Sequence, residues 1–224
     1  MISSVVDNLA SVNSRIQSIL SGRTVRLVAV SKTKPEELIQ QAYDAGHRHF
    51  GENYVEEIVR KAPNLPADIQ WHMIGHLQSN KVKKLLEVPN LYVLETLDSK
   101  SLADKLNKQA ASVRENPLKV FLQVNTSGEQ SKSGVVGEHV DLGVHVARSC
   151  PHLELAGLMT IGARGNSGDF TRLIEARQEL SQALNRDPES LELSMGMSGD
   201  FEEAIAYGST NVRVGSLIFG ERSK

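Results

Sequence analysis

The chain has one cysteine, few aromatic residues and no excess of either charge. Cys150 is the only cysteine among 224 residues, which excludes an intrachain disulfide and a zinc site with several cysteine ligands. Lysine and arginine number 25 against 27 acidic residues, and the net charge of −2 gives no general attraction to nucleic acid or to an anionic membrane. We therefore expect neither nucleic acid nor a membrane as a partner.

Long apolar runs are also missing. No stretch approaches the roughly 18 apolar residues that indicate a membrane-spanning helix. The N-terminal sequence MISSVVDNLASVNSRIQSIL lacks the basic start and the apolar core of a secretory signal. We expect a cytoplasmic protein, with a mitochondrial location left open because a processed transit peptide would leave no trace.

Helical patterns and short apolar segments alternate along the whole chain. An N-terminal amphipathic helix is predicted from apolar residues at helical spacing, namely Val5, Val6, Leu9, Val12, Ile16 and Ile19. The candidate strands that follow are VRLVAV, RHFG, QWHMIG, LYVLET, KVFLQV, LELAGLMTI, LELSMG and NVRVG. Helices between them are predicted to begin near Pro35, Asn53, Asn80, Ser99, Glu138, Asp169 and Asp200.

This alternation predicts the fold class. Strands that alternate with helices form a parallel sheet with right-handed crossovers. Eight such units in 224 residues suit a single α/β domain, a (β/α)8 TIM barrel with an extra N-terminal helix, spanning residues 1–224. A doubly wound open sheet is the alternative, but neither of its usual phosphate-binding motifs, GxGxxG or GxxxxGK[ST], occurs in the sequence.

The segment VRLVAVSKTKPEEL places a lysine between a buried strand and a helix. Val25 to Val30 has the composition of a core strand, and Pro35 followed by two acidic residues is typical of a helix start. Because alternate strand residues share a face, Val28, Val30 and Lys32 are predicted to face the barrel interior at its catalytic end. Burial there would favour a neutral, nucleophilic amine. The alternative is a lysine that extends from the strand end into solvent.

The last two candidate strands both lead into glycine and serine. They occur in LSMGMSGDFEEAI and VRVGSLIFG, where the hydroxyls of Ser198 and Ser216 accompany the backbone N–H groups of a turn. Such groups bind anions, and the loops after strands seven and eight are the usual phosphate site of barrel enzymes. The alternative is that Gly215 and Gly220 only allow tight turns.

Arg213 lies in the middle of the strand NVRVG, on the same face as Gly215. A buried arginine needs a partner. A lysine that can form a Schiff base, a phosphate cradle and an arginine that can meet a ring nitrogen together indicate pyridoxal 5′-phosphate (PLP) as the cofactor.

Six sequence blocks resemble those of a known family. VAVSKTKP, FGENYVEE, WHMIGHLQSNK, GLMTIG, SMGMSGDFEEAI and VRVGSLIFG resemble the pyridoxal phosphate homeostasis protein family, whose barrel is similar to the alanine racemase N-terminal domain (PLP fold type III). The blocks occur in the family's order over nearly the whole chain. The cofactor-binding residues that the resemblance implies are Lys32, Asn53, Ser198, Arg213, Gly215 and Ser216.

The resemblance also implies a role for each of these residues. Lys32 would carry PLP as a Schiff base, and Ser198 with the amides of Gly215 and Ser216 would hold the phosphate. Arg213 would face the pyridine nitrogen, and Asn53 would lie beside the cofactor. The family often has threonine at the position of Ser216, so the hydroxyl contact is less secure than the amide contact. The 125–135 loop matches only loosely, and no residue is assigned from it.

An arginine at the pyridine nitrogen bears on the function. Its charge is permanent, so it leaves that nitrogen unprotonated and the ring a weaker electron sink. A chain of 224 residues also leaves no room for the second domain that carries the other acid–base residue of alanine racemase. The expected function is PLP binding in intracellular PLP homeostasis, as a carrier or regulator without robust turnover. A PLP-dependent racemase-like enzyme of low activity is the alternative.

The expected partners are PLP and PLP-dependent apo-enzymes, and the expected state is a monomer. A class I aldolase is disfavoured because Met159 and Thr160, and no lysine, stand on the sixth strand. Ser31 and Lys34 match the SxxK motif of acyl-serine enzymes without its companion motifs. No metal site is expected. The HRH sequence at 47–49 is interpreted as solvated charge.

Overall fold

The computed structural model describes residues 4–20, 22–129, 132–163 and 166–221. Its parallel strands pair in sequence order, and β1 pairs with both β2 and β8, so the sheet closes into an eight-stranded barrel. The strands are β1 Arg26–Val30, β2 His49–Glu52, β3 Gln70–Met73, β4 Leu91–Leu97, β5 Leu118–Gln123, β6 Leu153–Met159, β7 Glu192–Met197 and β8 Asn211–Val214. The predicted (β/α)8 barrel is confirmed.

Helices surround this barrel. They are α1 Val5–Ile19, α2 Glu36–Asp44, α3 Val55–Lys61, α4 Val82–Leu86, α5 Lys100–Val113, α6 His139–Ser149, α7 Gly168–Leu184, α8 Phe201–Ala206 and α9 Ser216–Phe219. Short 3-10 helices occur at Ala62–Asn64, Ser79–Lys81 and Pro188–Ser190. None of the helices in the described ranges is both long enough and apolar enough to traverse a bilayer.

The two faces of each strand contribute to different parts of the core. On β1, Leu27 and Ala29 belong to the main apolar cluster between the strands and the helices. Val28 is equally buried but faces the barrel interior, since it aligns with Arg213 of β8, whose side chain also lies inside. Successive side chains of a strand point to opposite faces. One set of strand residues therefore faces the helices, and the other set, which includes selected polar residues, faces the barrel interior.

The N-terminal helix α1 packs beside α8 and α9, the helices that follow β7 and β8. Asn8 Nδ2 donates to the Ile218 carbonyl at 3.0 Å, and the Arg15 side chain pairs with Glu202 at 2.6 Å. The predicted apolar face is confirmed except at its edges, because Val6 is 43% exposed and Ile19 is only partly buried. This helix supports the outer side of the loops that end β7 and β8.

Candidate functional site

A cavity of about 700 Å³ opens at the C-terminal ends of the first and last strands. Its walls come from the segments that follow β1, β3, β7 and β8. The predicted site residues that line it are Lys32, Ser198, Arg213, Gly215 and Ser216. A second cavity, of about 480 Å³, lies outside the barrel between α3 and α4 and is mostly apolar. The converging amine, guanidinium and hydroxyl groups make the first cavity the candidate site.

Lys32 occupies a turn two residues beyond the end of β1, where it is partly buried. The turn is closed by the N–H of Lys34, which donates to the Ser31 carbonyl at 3.0 Å, and is tied to β2 by the N–H of Ser31, which donates to the Gly51 carbonyl at 3.0 Å. Val30 and Lys32 both line the cavity. The predicted inward face of this segment is thereby confirmed.

A buried ion cluster lies directly behind this turn. The Lys61 ammonium is fully buried and donates to the Ser31 carbonyl at 3.0 Å, to Glu52 at 2.7 Å and to Glu57 at 2.6 Å. The Ser31 hydroxyl also donates to Glu52, at 2.7 Å. Burial raises the pKa of Glu52 to about 7, although the Lys61 charge and the two hydrogen bonds oppose that rise.

The loops after β7 and β8 form a further wall of the cavity. The N–H of Gly215 donates to the Ser198 hydroxyl at 3.2 Å, and the N–H of Met197 donates to Asp200 at 2.7 Å. Ser216 begins α9, where the N–H groups of Ile218 and Phe219 donate to the Gly215 carbonyl at 3.0 and 2.9 Å, while those of Ser216 and Leu217 have no carbonyl of α9 to donate to. A Cβ atom on Gly215 would lie 3.2 Å from the Val30 carbonyl oxygen, so glycine lets β8 approach β1 here.

Arg213 closes the cavity toward the barrel centre. It is 4% exposed, and its guanidinium donates to the Ser194 hydroxyl at 2.6 Å and to the Thr160 carbonyl at 2.8 Å. Burial lowers the pKa of Arg213, and the charges of Glu95 and Asp200 oppose this by favouring the cation. The expectation that this arginine has buried partners is confirmed.

Glu95 is the anion of the barrel interior. It is fully buried, accepts hydrogen bonds from Ser194 and from Asn211 Nδ2 at 3.2 Å, and contacts His72 Nδ1 at 2.6 Å. Burial tends to raise the pKa of Glu95, but the contacts with His72, Arg213 and Ser194 hold it below its usual range. A hydrogen-bonded chain therefore connects Arg213 to the middle of the barrel.

The histidines of HRH continue this chain, and their interpretation as solvated charge is wrong. His49 Nδ1 lies 3.0 Å from His72 Nε2, and His47 Nε2 lies 2.7 Å from the His49 carbonyl oxygen. Burial lowers the pKa of His47 to about 4 and that of His49 to about 3, with repulsion from His72 adding to both shifts. Both side chains pack as uncharged rings beside β2 and β3 near neutral pH.

Asn53 is the one predicted site residue that does not line the cavity. Its main chain packs so closely on β3 that a Cβ atom at Gly75 would overlap the Asn53 carbonyl oxygen. Its side-chain oxygen is buried and accepts no hydrogen bond within the described part of the chain. The position of Asn53 beside a cofactor stays a prediction, and its amide retains hydrogen-bonding capacity at the barrel mouth.

The structure also shows the surroundings of the SxxK residues and of His72 and His76. The hydroxyl of Ser31 is fully buried against Glu52 and Lys34 Nζ donates to the Glu221 carbonyl at 2.7 Å, so these residues do not form an acyl-serine site. His72 and His76 have separate partners, Glu95 at 2.6 Å and Asp98 at 3.5 Å. The SxxK match is therefore coincidental, and the two histidines do not share a ligand.

Several site residues were missed in the sequence. The signal for Glu95 was available, because a carboxylate inside the apolar segment LYVLET must be paired if that strand is buried. Ser194 and Asp200 carry no such signal, since serine and aspartate are common at strand and helix ends. Thr160 bonds Arg213 through its carbonyl, which any residue would offer.

The arrangement defines the chemistry that the cavity can support. An amine at one wall can attack an electrophilic carbonyl, while the hydroxyl and N–H groups of the β7 and β8 loops can bind an anion. Arg213 presents a permanent cation at the floor. Of the described residues that line this cavity, none is a tyrosine, and Tyr54, the tyrosine nearest in sequence to the site, is 54% exposed at the start of α3.

Comparisons with known proteins agree with this geometry. The family model of the alanine racemase N-terminal domain matches residues 5–223. A pyridoxal phosphate homeostasis protein of Mus musculus is 50% identical, over 96% of this chain and 85% of the relative, and one of Pasteurella multocida is 43% identical, over 97% of both.

Solved structures show the same barrel. PipY of Synechococcus elongatus PCC7942 with PLP bound is 34% identical, with a TM-score of 0.81 over 97% of this chain and all of PipY. The alanine racemase of Corynebacterium glutamicum is only 18% identical, with a TM-score of 0.73 over 97% of this chain and 61% of the racemase. That likeness concerns the fold alone.

Proposed function

The chain belongs to the pyridoxal phosphate homeostasis protein family, and we propose that it holds PLP as a Schiff base on Lys32 and acts in intracellular PLP homeostasis by releasing or delivering it. The observation that carries the proposal is the convergence of Lys32, Ser198, Gly215, Ser216 and Arg213 on one cavity. Relatives named for PLP homeostasis and a PLP-bound structure of PipY support the same cofactor.

The chemistry of these residues fits PLP. PLP supplies an aldehyde that an amine can capture reversibly, a phosphate dianion and a pyridine ring. Lys32 offers the amine, and the hydroxyl of Ser198 with the N–H groups at the start of α9 offers donors to the phosphate. In the structure the Gly215 N–H donates to the Ser198 hydroxyl oxygen at 3.2 Å, which leaves the hydroxyl proton of Ser198 available to the phosphate.

Arg213 and Asn53 complete the proposed site. The guanidinium of Arg213 donates to Ser194 and to the Thr160 carbonyl, so its remaining N–H donors are available to the cavity that it lines. Facing the pyridine nitrogen, a permanent cation keeps that nitrogen unprotonated and restricts the electron withdrawal on which broad amino-acid chemistry depends. The buried amide oxygen of Asn53 accepts no hydrogen bond within the described residues, so it retains the capacity to accept one from the cofactor.

The proposal also covers the partners of the protein and its oligomeric state. We propose one PLP-binding domain over residues 1–224, cytoplasmic and monomeric, that exchanges PLP with PLP-dependent apo-enzymes and has no robust turnover of its own. Light scattering after size exclusion tests the monomer. Transfer of PLP to an apo-enzyme tests delivery, measured as the activity regained when the loaded protein is added instead of free PLP.

Borohydride reduction tests the Schiff base itself. The PLP-loaded protein is reduced, digested and mapped by mass spectrometry, and we expect the pyridoxyl group on Lys32. Lys34 lies in the same cavity wall and is the internal control, so Lys34→Ala retains the adduct and Lys32→Ala loses it. An adduct on Lys34 or elsewhere would overturn the assignment.

A further inference from the structure

The ion cluster behind the Lys32 turn pairs the buried ammonium group of Lys61, whose charge would otherwise be costly to bury. Lys61 is fully buried, and its three ammonium protons have three acceptors: Glu52, Glu57 and the Ser31 carbonyl. Burying an ammonium group costs a large free energy unless the group is paired and fully hydrogen-bonded. One of those acceptors is a backbone group of the residue that precedes Lys32.

The residue that follows Lys32 is bound by the same cluster. Thr33 has φ of +62°, in the left-handed region that β-branched residues rarely adopt. Its N–H donates to both carboxylate oxygens of Glu57, at 2.9 and 3.2 Å. Glu57 also accepts from Lys61 at 2.6 Å, so one carboxylate joins the strained residue to the buried ammonium. Strained backbone of this kind persists only where its surroundings hold it.

Lys32 is therefore flanked on both sides by main-chain groups tied to α3. Lys61 holds the Ser31 carbonyl, Glu57 holds the Thr33 N–H, and Glu52 of β2 binds the Ser31 hydroxyl at 2.7 Å. None of Glu52, Glu57 and Lys61 lines the cavity, so they do not contact a molecule bound there. Their contacts fix the backbone from which the Lys32 side chain projects.

We propose that Lys61, through Glu52, Glu57 and the Ser31 carbonyl, is a positioning residue that orients Lys32 for capture of the PLP aldehyde. The inference rests on the proposed function of Lys32. Capture would join the Lys32 nitrogen to the aldehyde carbon by a C=N bond, and the aldehyde oxygen would leave as water with the two protons of the neutral amine. Reactions of this kind depend on holding the nucleophile in the attacking geometry, and small displacements of the nucleophile slow them strongly.

The test separates covalent capture from PLP binding. Protein stripped of PLP with hydroxylamine is mixed with PLP. The rate of Schiff-base formation is followed by visible absorbance, total bound PLP by equilibrium dialysis, and the Lys32 adduct by borohydride mapping. We expect Glu57→Ala and Lys61→Met to slow formation of the Schiff base about tenfold or more. Total PLP binding falls less, because the phosphate contacts lie on other strands.

Matched controls come from the same helix. Glu56→Ala and Arg60→Met remove neighbouring charges that pair at the surface with Lys81 and Glu36, and we expect wild-type rates from both. Glu57→Gln keeps an acceptor for the Thr33 N–H and should recover part of the rate that Glu57→Ala loses. If Lys61→Met does not fold, the series of substitutions at the partly exposed Glu57 decides the question.

The outcomes are distinct. Folded Glu57→Ala and Lys61→Met proteins that capture PLP as fast as their controls would overturn the positioning role and leave the cluster a purely structural one. A wild-type protein with no adduct on Lys32 would instead refute the proposed function, and the positioning role with it. A slow rate restricted to the Glu57 and Lys61 variants supports the inference.

Discussion

The guanidinium of Arg213 donates a hydrogen bond to the Ser194 hydroxyl at 2.6 Å, and the same hydroxyl donates to the buried carboxylate of Glu95. The arginine at the cavity floor is thus oriented by a carboxylate two hydrogen bonds away. Glu95 also contacts His72 at 2.6 Å, so one anion serves two basic groups in the barrel interior.

Neutralising Glu95 should destabilise the protein strongly. Glu95→Gln removes the nearby carboxylate that offsets the buried charge of Arg213, and leaving a buried charge uncompensated costs about 3–5 kcal/mol of unfolding free energy. Urea unfolding measures the loss. Glu192→Gln, which removes the partner of the partly exposed Arg26, is the control and should cost about 1 kcal/mol or less. Equal losses in the two variants would contradict the role of Glu95.

A side chain at Gly215 should weaken PLP binding. A Cβ atom there would lie 3.2 Å from the Val30 carbonyl oxygen and 3.3 Å from Val30 Cβ, so β8 must shift away from β1 and displace the proposed phosphate donors that follow it. We expect Gly215→Val to raise the Kd for PLP at least about tenfold, or about 1.4 kcal/mol, with Gly215→Ala intermediate. Equilibrium dialysis gives the affinities, and circular dichroism verifies that the variants fold.

The phosphate should supply much of the affinity. Charge-assisted hydrogen bonds to an anion are about twice as strong as neutral ones. We expect pyridoxal, which lacks the phosphate, to bind Lys32→Ala protein at least about a hundredfold more weakly than PLP, a difference of about 2.7 kcal/mol. The Lys32→Ala variant removes the Schiff base and isolates the other contacts. Equal affinities would show that the β7 and β8 loops do not bind the phosphate.

His47 should make stability depend on pH. Burial lowers its pKa to about 4 in the folded protein, against an ordinary value of 6.5, so the unfolded chain binds a proton that the folded chain rejects. Stability is then fully present above pH 6.5 and falls as the pH drops toward 4, by at most about 1.4 kcal/mol per pH unit for one proton.

Substitution isolates the contribution of His47. Glu52 acts in the opposite direction, since its raised pKa of about 7 makes its contribution decline as pH rises from 4.5 to 7. Comparison of His47→Gln with wild type cancels this term, and we expect a flatter dependence of unfolding free energy on pH between 4 and 6.5. His152→Gln, at an exposed histidine, is the control. An unchanged slope in His47→Gln would refute the assignment.

Amino-acid racemisation should be slow. Racemisation needs a proton donor on each face of the bound carbanion, and no tyrosine lines the described part of the cavity. We expect PLP-loaded protein incubated with L-amino acids in deuterated water to exchange α-protons far more slowly than about 1 per second. Faster exchange with formation of the D-isomer would favour the racemase-like alternative. Loss of that α-proton exchange in Tyr54→Phe would identify Tyr54 as the second base.

The sequence alone predicted the barrel and five residues that line the candidate cavity. Short apolar runs and helical patterns identified all eight strands and the helices between them, because barrel strands are buried on both faces and the surrounding helices on one. Lys32, Ser198, Gly215 and Ser216 are predictable because each follows a strand end, and the parallel strands of a barrel end on the same side. Arg213 is predictable because an arginine inside a strand needs a buried partner.

Only the tertiary structure decided which charged residues meet. Lys61 is seven residues into a helix segment that reads as solvated, and its burial depends on how α3 lies against β1 and β2. The contact between Glu95 and His72 likewise joins residues on neighbouring strands through the closed barrel. Local sequence cannot predict such pairs, because the energy of a buried charge depends on partners that are distant in sequence.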